Sequence, residues 1–219
     1  MRRLSTPSAK AHLVVSGLRY EVQNRVLLTD INLALAAGDT LCIVGANGSG
    51  KSIVLELLAG RRQPTGGTIT TGGHEVFFLS RKEIGHSDAP TVSKAVEIAS
   101  GCTPSCVMSE LRRANIDPDQ RVSSLSPGEV QRALFVAARC NDAAIVLLDD
   151  PTAGLDAEGF DIFERTVSGL AEAHRITVIA TTSPDVVVEL QASAVTSLVD
   201  GALRAVRPLP PTIEDLLET

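Results

Sequence analysis

Apolar and polar residues alternate loosely over residues 12–22 and again over 25–36, the period-2 pattern of strands with one buried face. Ala37-Gly38-Asp39 breaks the pattern as a turn, and residues 40–45 then run apolar without alternation, as in a strand covered on both faces. From Lys51 to Leu58 the spacing becomes helical, and Gly60 supplies the stop. Strand, glycine-rich loop and helix therefore follow one another. Two short β runs flank Gly72-Gly73 within residues 66–80, and residues 92–99 and 107–114 read as helices separated by turn residues near Gly101 and Pro104. Residues 130–138 form an amphipathic helix, 144–148 a buried strand, 160–173 a helix and 176–180 another buried strand. Asp200-Gly201 between 195–199 and 202–206 signals a hairpin, and the proline-rich stretch 208–211 leads into a short acidic tail. Non-alternating strands separated by helices imply a parallel sheet covered on both faces, so the expected fold class is α/β.

Composition sets limits on partners. With 219 residues and 44% hydrophobic content the chain can bury a full core. Its net charge of −6 offers no basic surface for a phosphate backbone, so nucleic acid is not expected as a partner. The longest strongly apolar stretch, 143–148, is far short of the ~20 residues that span a bilayer. Residues 1–11 carry basic groups without a signal-peptide core and read as a loose leader. The four cysteines, Cys42, Cys102, Cys106 and Cys140, have no CxxC spacing and read as ordinary reduced thiols.

The sharpest chemical signal runs from Gly45 through Ala46, Asn47, Gly48, Ser49, Gly50 and Lys51 to Ser52, which fits G-x-x-x-x-G-K-[ST] after a buried strand and at the opening of a helix. Glycines there let backbone N–H groups curl round phosphates, the helix N-terminus adds partial positive charge, Lys51 reaches the β and γ phosphates, and Ser52 can ligate Mg²⁺. ATP is the expected ligand. The apolar strand ending in Asp149 would place that carboxylate beside the loop as a second magnesium holder, and Asp150 follows as the group to orient or deprotonate water. Leu125-Ser126-Pro127-Gly128-Glu129 reads as a capped helix start, which is also an anion site.

The phosphate loop, this Leu-Ser-x-Gly-Glu segment, Leu148-Asp149-Asp150-Pro151-Thr152 and Ala153-Gly154-Leu155-Asp156 together resemble the nucleotide-binding domain of ABC-type ATPases over about residues 12–207. The resemblance implies a P-loop core, an antiparallel β portion toward the N-terminus, a helical arm at about 84–130 and a C-terminal tail at 208–219. It implies two ATP-binding subunits, identical or not, meeting head to tail, with each ATP between one phosphate loop and the opposite signature helix. Tyr20 would then stack on adenine, Ser126 and Gly128 would reach the partner's γ-phosphate, and Asp156 would link the two sites.

Departures from the family pattern cluster beside the γ-phosphate. Arg81 stands where the family carries a glutamine, bringing fixed positive charge that cannot ligate a metal. Ser183 stands at the switch-histidine position and cannot titrate near neutral pH. Asp150 holds the catalytic-glutamate position one methylene short. Pro127 replaces the first signature glycine and removes one backbone donor, while Ile53 replaces a second hydroxyl residue after Ser52. Binding residues are kept and hydrolysis residues are eroded. The reading is an ATP-binding subunit at the cytoplasmic face of a membrane, coupling ATP binding and weak hydrolysis to a separate membrane-spanning permease subunit. The alternative is a soluble ABC-type ATPase acting as a regulatory or mechanical module, and a small-molecule P-loop kinase is disfavoured because two of the motifs would then be accidental.

Overall fold

The computed structural model describes residues 12–80, 84–183, 186, 190 and 192–205. The proposed leader and tail, and Arg81, lie outside them. The chain divides into two compact units, the first comprising Met1–Phe78, Ala143–Asp150 and Leu170–Thr219, the second Leu79–Asp142 and Pro151–Gly169.

The first unit carries two sheets. Strands β1 (His12–Val22) and β2 (Arg25–Ala36) pair antiparallel, and β4 (Gly66–Thr70) joins the far edge of β1. Their alternation buries Leu13, Val15, Leu18, Leu28 and Ile31 on one face, as the period-2 pattern requires. The second sheet has the order β5-β6-β7-β3-β8-β9, built from β3 (Thr40–Val44), β5 (Val76–Leu79), β6 (Ile145–Asp149), β7 (Ile176–Thr181), β8 (Ala194–Val199) and β9 (Ala202–Ala205). β3 pairs in parallel with β7 and β8, β6 pairs in parallel with β7, and β9 closes the edge as an antiparallel hairpin with β8. Every residue of β3 and β7 is buried, which accounts for the lack of alternation in their sequences. The two β runs beside Gly72-Gly73 do not pair with each other: β4 belongs to the antiparallel sheet and β5 to the parallel one. Helix α1 (Lys51–Leu58) buries Val54, Leu55, Leu57 and Leu58 in the same core.

The second unit is helical, with α2 (Val92–Ser100), α3 (Pro104–Arg113), α4 (Pro127–Cys140) and most of α5 (Ala157–Glu172). α3 and α4 each start three residues before the apolar periodicity does. In both, a proline takes the first turn, where its missing N–H costs nothing, so these starts are marked by capping chemistry and not by hydrophobic spacing. Phe135 of α4 packs on Phe163 of α5, with ring centroids 5.4 Å apart.

Candidate functional site

The parallel register lines up three strand ends in the first unit. Val44 pairs with Thr181 and Asp149 with Ala180, so the loops after β3, β6 and β7 all leave the same carboxyl edge, where open α/β sheets place their ligands. This one edge gathers Gly45–Ser52, Asp149-Asp150 and Ser183.

The loop after β3 is shaped by its glycines. A Cβ on Gly45 would lie 2.8 Å from Ser49 Oγ and 3.0 Å from the Leu198 carbonyl oxygen, so a larger residue would have to displace the Ser49 side chain and crowd that carbonyl. Gly48 and Gly50 take φ of 78° and 105°, left-handed conformations open to glycine, and Gly50 caps α1. No side chain caps α1, and its first turn carries no acidic residue. The leading N–H groups of Lys51, Ser52 and Ile53 have no acceptor within the helix and point out of its positive end. Ser49 Oγ is buried with no hydrogen-bond partner. An uncapped helix start, a glycine cradle and an unsatisfied hydroxyl together fit a phosphate chain.

Lys51 is folded back over this cradle, its Nζ donating to the carbonyls of Gly45 at 2.7 Å and Ala46 at 2.9 Å. Burial pulls its pKa below the ordinary lysine value, against the raising effect of Asp150 and Asp149. Ser52 Oγ donates to Asp149 Oδ1 at 3.1 Å, bringing the two expected magnesium holders into contact. Burial pushes the Asp149 carboxyl above the usual carboxylate range, with Asp150 adding to the rise and the Ser52 bond opposing it. Asp150 sits at φ 48°, held by its N–H bond to the Ala180 carbonyl at 2.8 Å. The Ser183 N–H donates to Thr181 Oγ1 at 3.0 Å.

An open cavity of about 560 Å³ lies beside the loop, lined by Arg25, Val26 and Leu27, by Val44–Ser49 and by Ser197–Gly201. Val26 is 43% exposed there, a large apolar side chain facing solvent next to the phosphate cradle. Tyr20 packs into the core from β1, and its hydroxyl accepts a 3.0 Å bond from Arg62, whose guanidinium lies 5.8 Å from the ring centroid. The inward face of β1 claims it, and Val26, unremarkable in an alternating strand, was not singled out from the sequence.

In the second unit, Ser126 caps α4 in a full capping box. Its Oγ accepts from the Glu129 N–H at 3.3 Å, and Glu129 Oε2 accepts from the Ser126 N–H at 2.8 Å, which holds the Glu129 carboxyl below its ordinary range. The Ser126 hydroxyl also hydrogen-bonds the Glu129 carboxylate, and nothing lies within 4 Å of the space a Gly128 side chain would fill. Asp156 serves as a helix cap too: its Oδ1 accepts from the Gly159 N–H at 2.8 Å, at the start of α5.

Residues 28–153 match the family model described as ABC transporter. The chain is 27% identical over 218 residues to an arabinose import ATP-binding protein of Chromohalobacter salexigens, covering 88% of this chain and 44% of that one. It is 33% identical over 156 residues to a zinc import ATP-binding protein of Ruegeria pomeroyi, covering 69% and 60%. With ABC transporter F family member 2 of Arabidopsis thaliana it shares 29% identity and spans 25% of that protein's length. Among solved structures it is similar to an inward-facing metal-chelate type ABC transporter (TM-score 0.74, 26% identity, 89% of this chain and 82% of that one). A bacterial Atm1-family ABC exporter with ATP bound has the same fold (TM-score 0.77, 20% identity, 90% and 40%).

Proposed function

Because the chain belongs to the ABC transporter family, we propose that it is an ATP-binding subunit that couples ATP binding, and slow hydrolysis, to a separate membrane-spanning subunit. The observation that carries this reading is the phosphate cradle: an uncapped α1 start, glycine-shaped by Gly45, Gly48 and Gly50, with Lys51 and the Ser52–Asp149 pair at its rim. The import functions in the names of the arabinose and zinc relatives support the transporter assignment.

In this reading the N–H groups of the loop and of α1 hold the phosphates and Lys51 exchanges its two carbonyl acceptors for phosphate oxygens. Asn47 and Ser49 lie within the loop that wraps the phosphate chain, and Ile53 contributes its N–H alone. Ser52 and Asp149 hold magnesium, which when bound adds positive charge against the β and γ phosphates. The nucleoside extends into the cavity past Val26, which takes the apolar contact with the base while Tyr20 supports the strand beneath. Asp150 orients water and Ser183 reaches a γ-phosphate oxygen by hydrogen bond.

A second ATP-binding subunit completes the site, its Ser126 hydroxyl and Gly128 N–H closing on the γ-phosphate in trans, with Asp156 at the boundary. Purification from detergent-solubilised membranes tests the function. Recovery of a multi-spanning membrane protein in equal amount supports a transporter subunit, and recovery of non-membrane partners alone transfers the assignment to the regulatory or mechanical module. The described residues contain no helix long and apolar enough to cross a membrane.

A further inference from the structure

The second unit brings together three cysteines that the sequence separates. Cys102 lies just before α3, Cys106 in the first turn of α3, and Cys140 at the last residue of α4. Their Sγ atoms all lie within 4.8 Å of one another, and Cys106 Sγ is 3.7 Å from Cys140 Sγ. All three are free thiols. From the geometry of these three sulfurs we propose that Cys102, Cys106 and Cys140 form a thiolate site for zinc.

Thiolates about 2.3 Å from a tetrahedral zinc stand about 3.8 Å apart, close to the Cys106–Cys140 separation. The negative end of α4, where Cys140 sits, favours a cation. Soft sulfur donors select zinc or copper(I), and charge separates these two. Glu110, which acts on Cys140, is itself paired with Arg113 at 2.7 Å and Arg139 at 3.0 Å, whereas Asp142 acts on Cys102. Three thiolates on a divalent ion leave one net negative charge beside Asp142, whereas a monovalent ion leaves two, so the divalent ion is preferred. Burial disfavours the charged form of Cys102 and Cys140, a cost that a bound cation offsets. Binding replaces three S–H bonds with three S–Zn bonds, releases three protons to solvent and leaves the fourth position to water. No oxidant or reductant is involved.

The cysteine site lies at the opposite end of α4 from Ser126. Ser126 caps one end of α4 and Cys140 closes the other, 14 residues on, about 20 Å along the helix. Zinc there would tie the start of α3 to the end of α4, adding stability in proportion to the logarithm of its free concentration.

The test titrates the reduced, metal-stripped chain with Zn²⁺ against a chromophoric chelator, and in parallel with Co²⁺ to read thiolate-to-metal charge-transfer absorption. Expected are one metal per chain, about three protons released and a charge-transfer band. Cys102→Ser and Cys106→Ser should each weaken binding by more than about 100-fold, beyond what loss of an outer-shell partner costs, with unchanged far-ultraviolet circular dichroism. Cys42→Ser, at a thiol buried elsewhere and raised to about 12, should leave the stoichiometry at one. Binding no tighter than that of the triple Cys→Ser variant overturns the proposal. So does a chain that takes no zinc when reduced but forms a Cys106–Cys140 disulfide in air, which would make the cluster a redox pair.

Discussion

Replacing Lys51 with alanine should separate the energetics of the ligand from those of the fold. In the free protein the ammonium makes two charge-assisted bonds, to the carbonyls of Gly45 and Ala46, and it gives these up for phosphate oxygens when ATP binds. Bonds to charged groups contribute about 1.5–3 kcal/mol each. The two carbonyl bonds surrendered offset part of what the phosphates provide, so the net loss should equal roughly one such contact, or about 10- to 150-fold in Kd. Stability should respond differently. Burial lowers the Lys51 pKa despite Asp149 and Asp150, so at neutral pH the folded state bears a cost for keeping this group charged. Alanine removes that cost together with the two bonds, and the melting temperature of the free protein should shift by no more than about 4 °C, or about 1 kcal/mol for a chain of this size. Calorimetry of ATP binding and scanning calorimetry of the free protein read the two quantities. An unchanged Kd would refute the assignment of the loop. A collapse in melting temperature with a proportionate loss of binding would show that Lys51 braces the loop instead of holding the ligand.

Three further outcomes follow from the site. Acidification should weaken the magnesium-dependent part of ATP binding, starting above the ordinary aspartate range because the Asp149 carboxyl is raised and a proton competes with the metal; Asp149→Asn should flatten that profile in a titration of ATP affinity at fixed magnesium. For the fold the sign is reversed: a carboxyl raised by burial contributes stability below its unfolded pKa and loses it as pH rises through the folded value. Ser126→Arg should abolish ATP-driven association in sedimentation with EDTA present, and dimerisation equal to the unaltered chain would rule out a contact in trans. Steady-state ATPase of the purified chain should be slow and should rise with Asp150→Glu and Ser183→His together; turnover already within about 1–1000 per second, unmoved by the pair, would sink the eroded-site reading.

Much of the first unit was legible because each signal was local. The non-alternating runs of β3, β6 and β7 marked strands buried on both faces, and the loop from Gly45 to Ser52 needed no tertiary information, since glycine conformation and helix start lie within eight residues. Pairing was less legible. β4 and β5 read alike across Gly72-Gly73, yet they join different sheets, a choice made by distant strands. The surroundings of Tyr20 were illegible on the same ground: an aromatic residue in an alternating strand has two faces to choose from, and its place in the core beside Leu28, with Arg62 over the ring, is set by the partner strand. The cysteine cluster was invisible for a related reason. Cys102 and Cys106 are four residues apart, but the third sulfur comes from the far end of a 14-residue helix, and only the packing of α3 on α4 brings it near.

In the proposed site the residues beside the γ-phosphate would bear differently on binding and on hydrolysis, and the backbone explains part of the difference. Binding depends on N–H groups whose directions the glycines fix, so it tolerates Ile53 in place of a hydroxyl residue. Hydrolysis, on the proposed role of Asp150, would depend on where that one carboxylate points. Asp150 occupies a left-handed conformation, φ 48°, pinned by its N–H bond to Ala180, and aspartate is among the few non-glycine residues that enter this region readily. Aspartate is thus suited to the backbone that β6 leaves behind, at the expense of one methylene of reach toward water. Glutamate restores the reach but must bear the left-handed strain, so the gain from Asp150→Glu alone should be smaller than the ~100-fold that a 1 Å displacement of a catalytic group can cost. Ser183→His carries no such penalty in this account, because the role lost there is a charge and not a position. Unequal recovery, with histidine restoring more than glutamate, is therefore what this backbone requires of an eroded site.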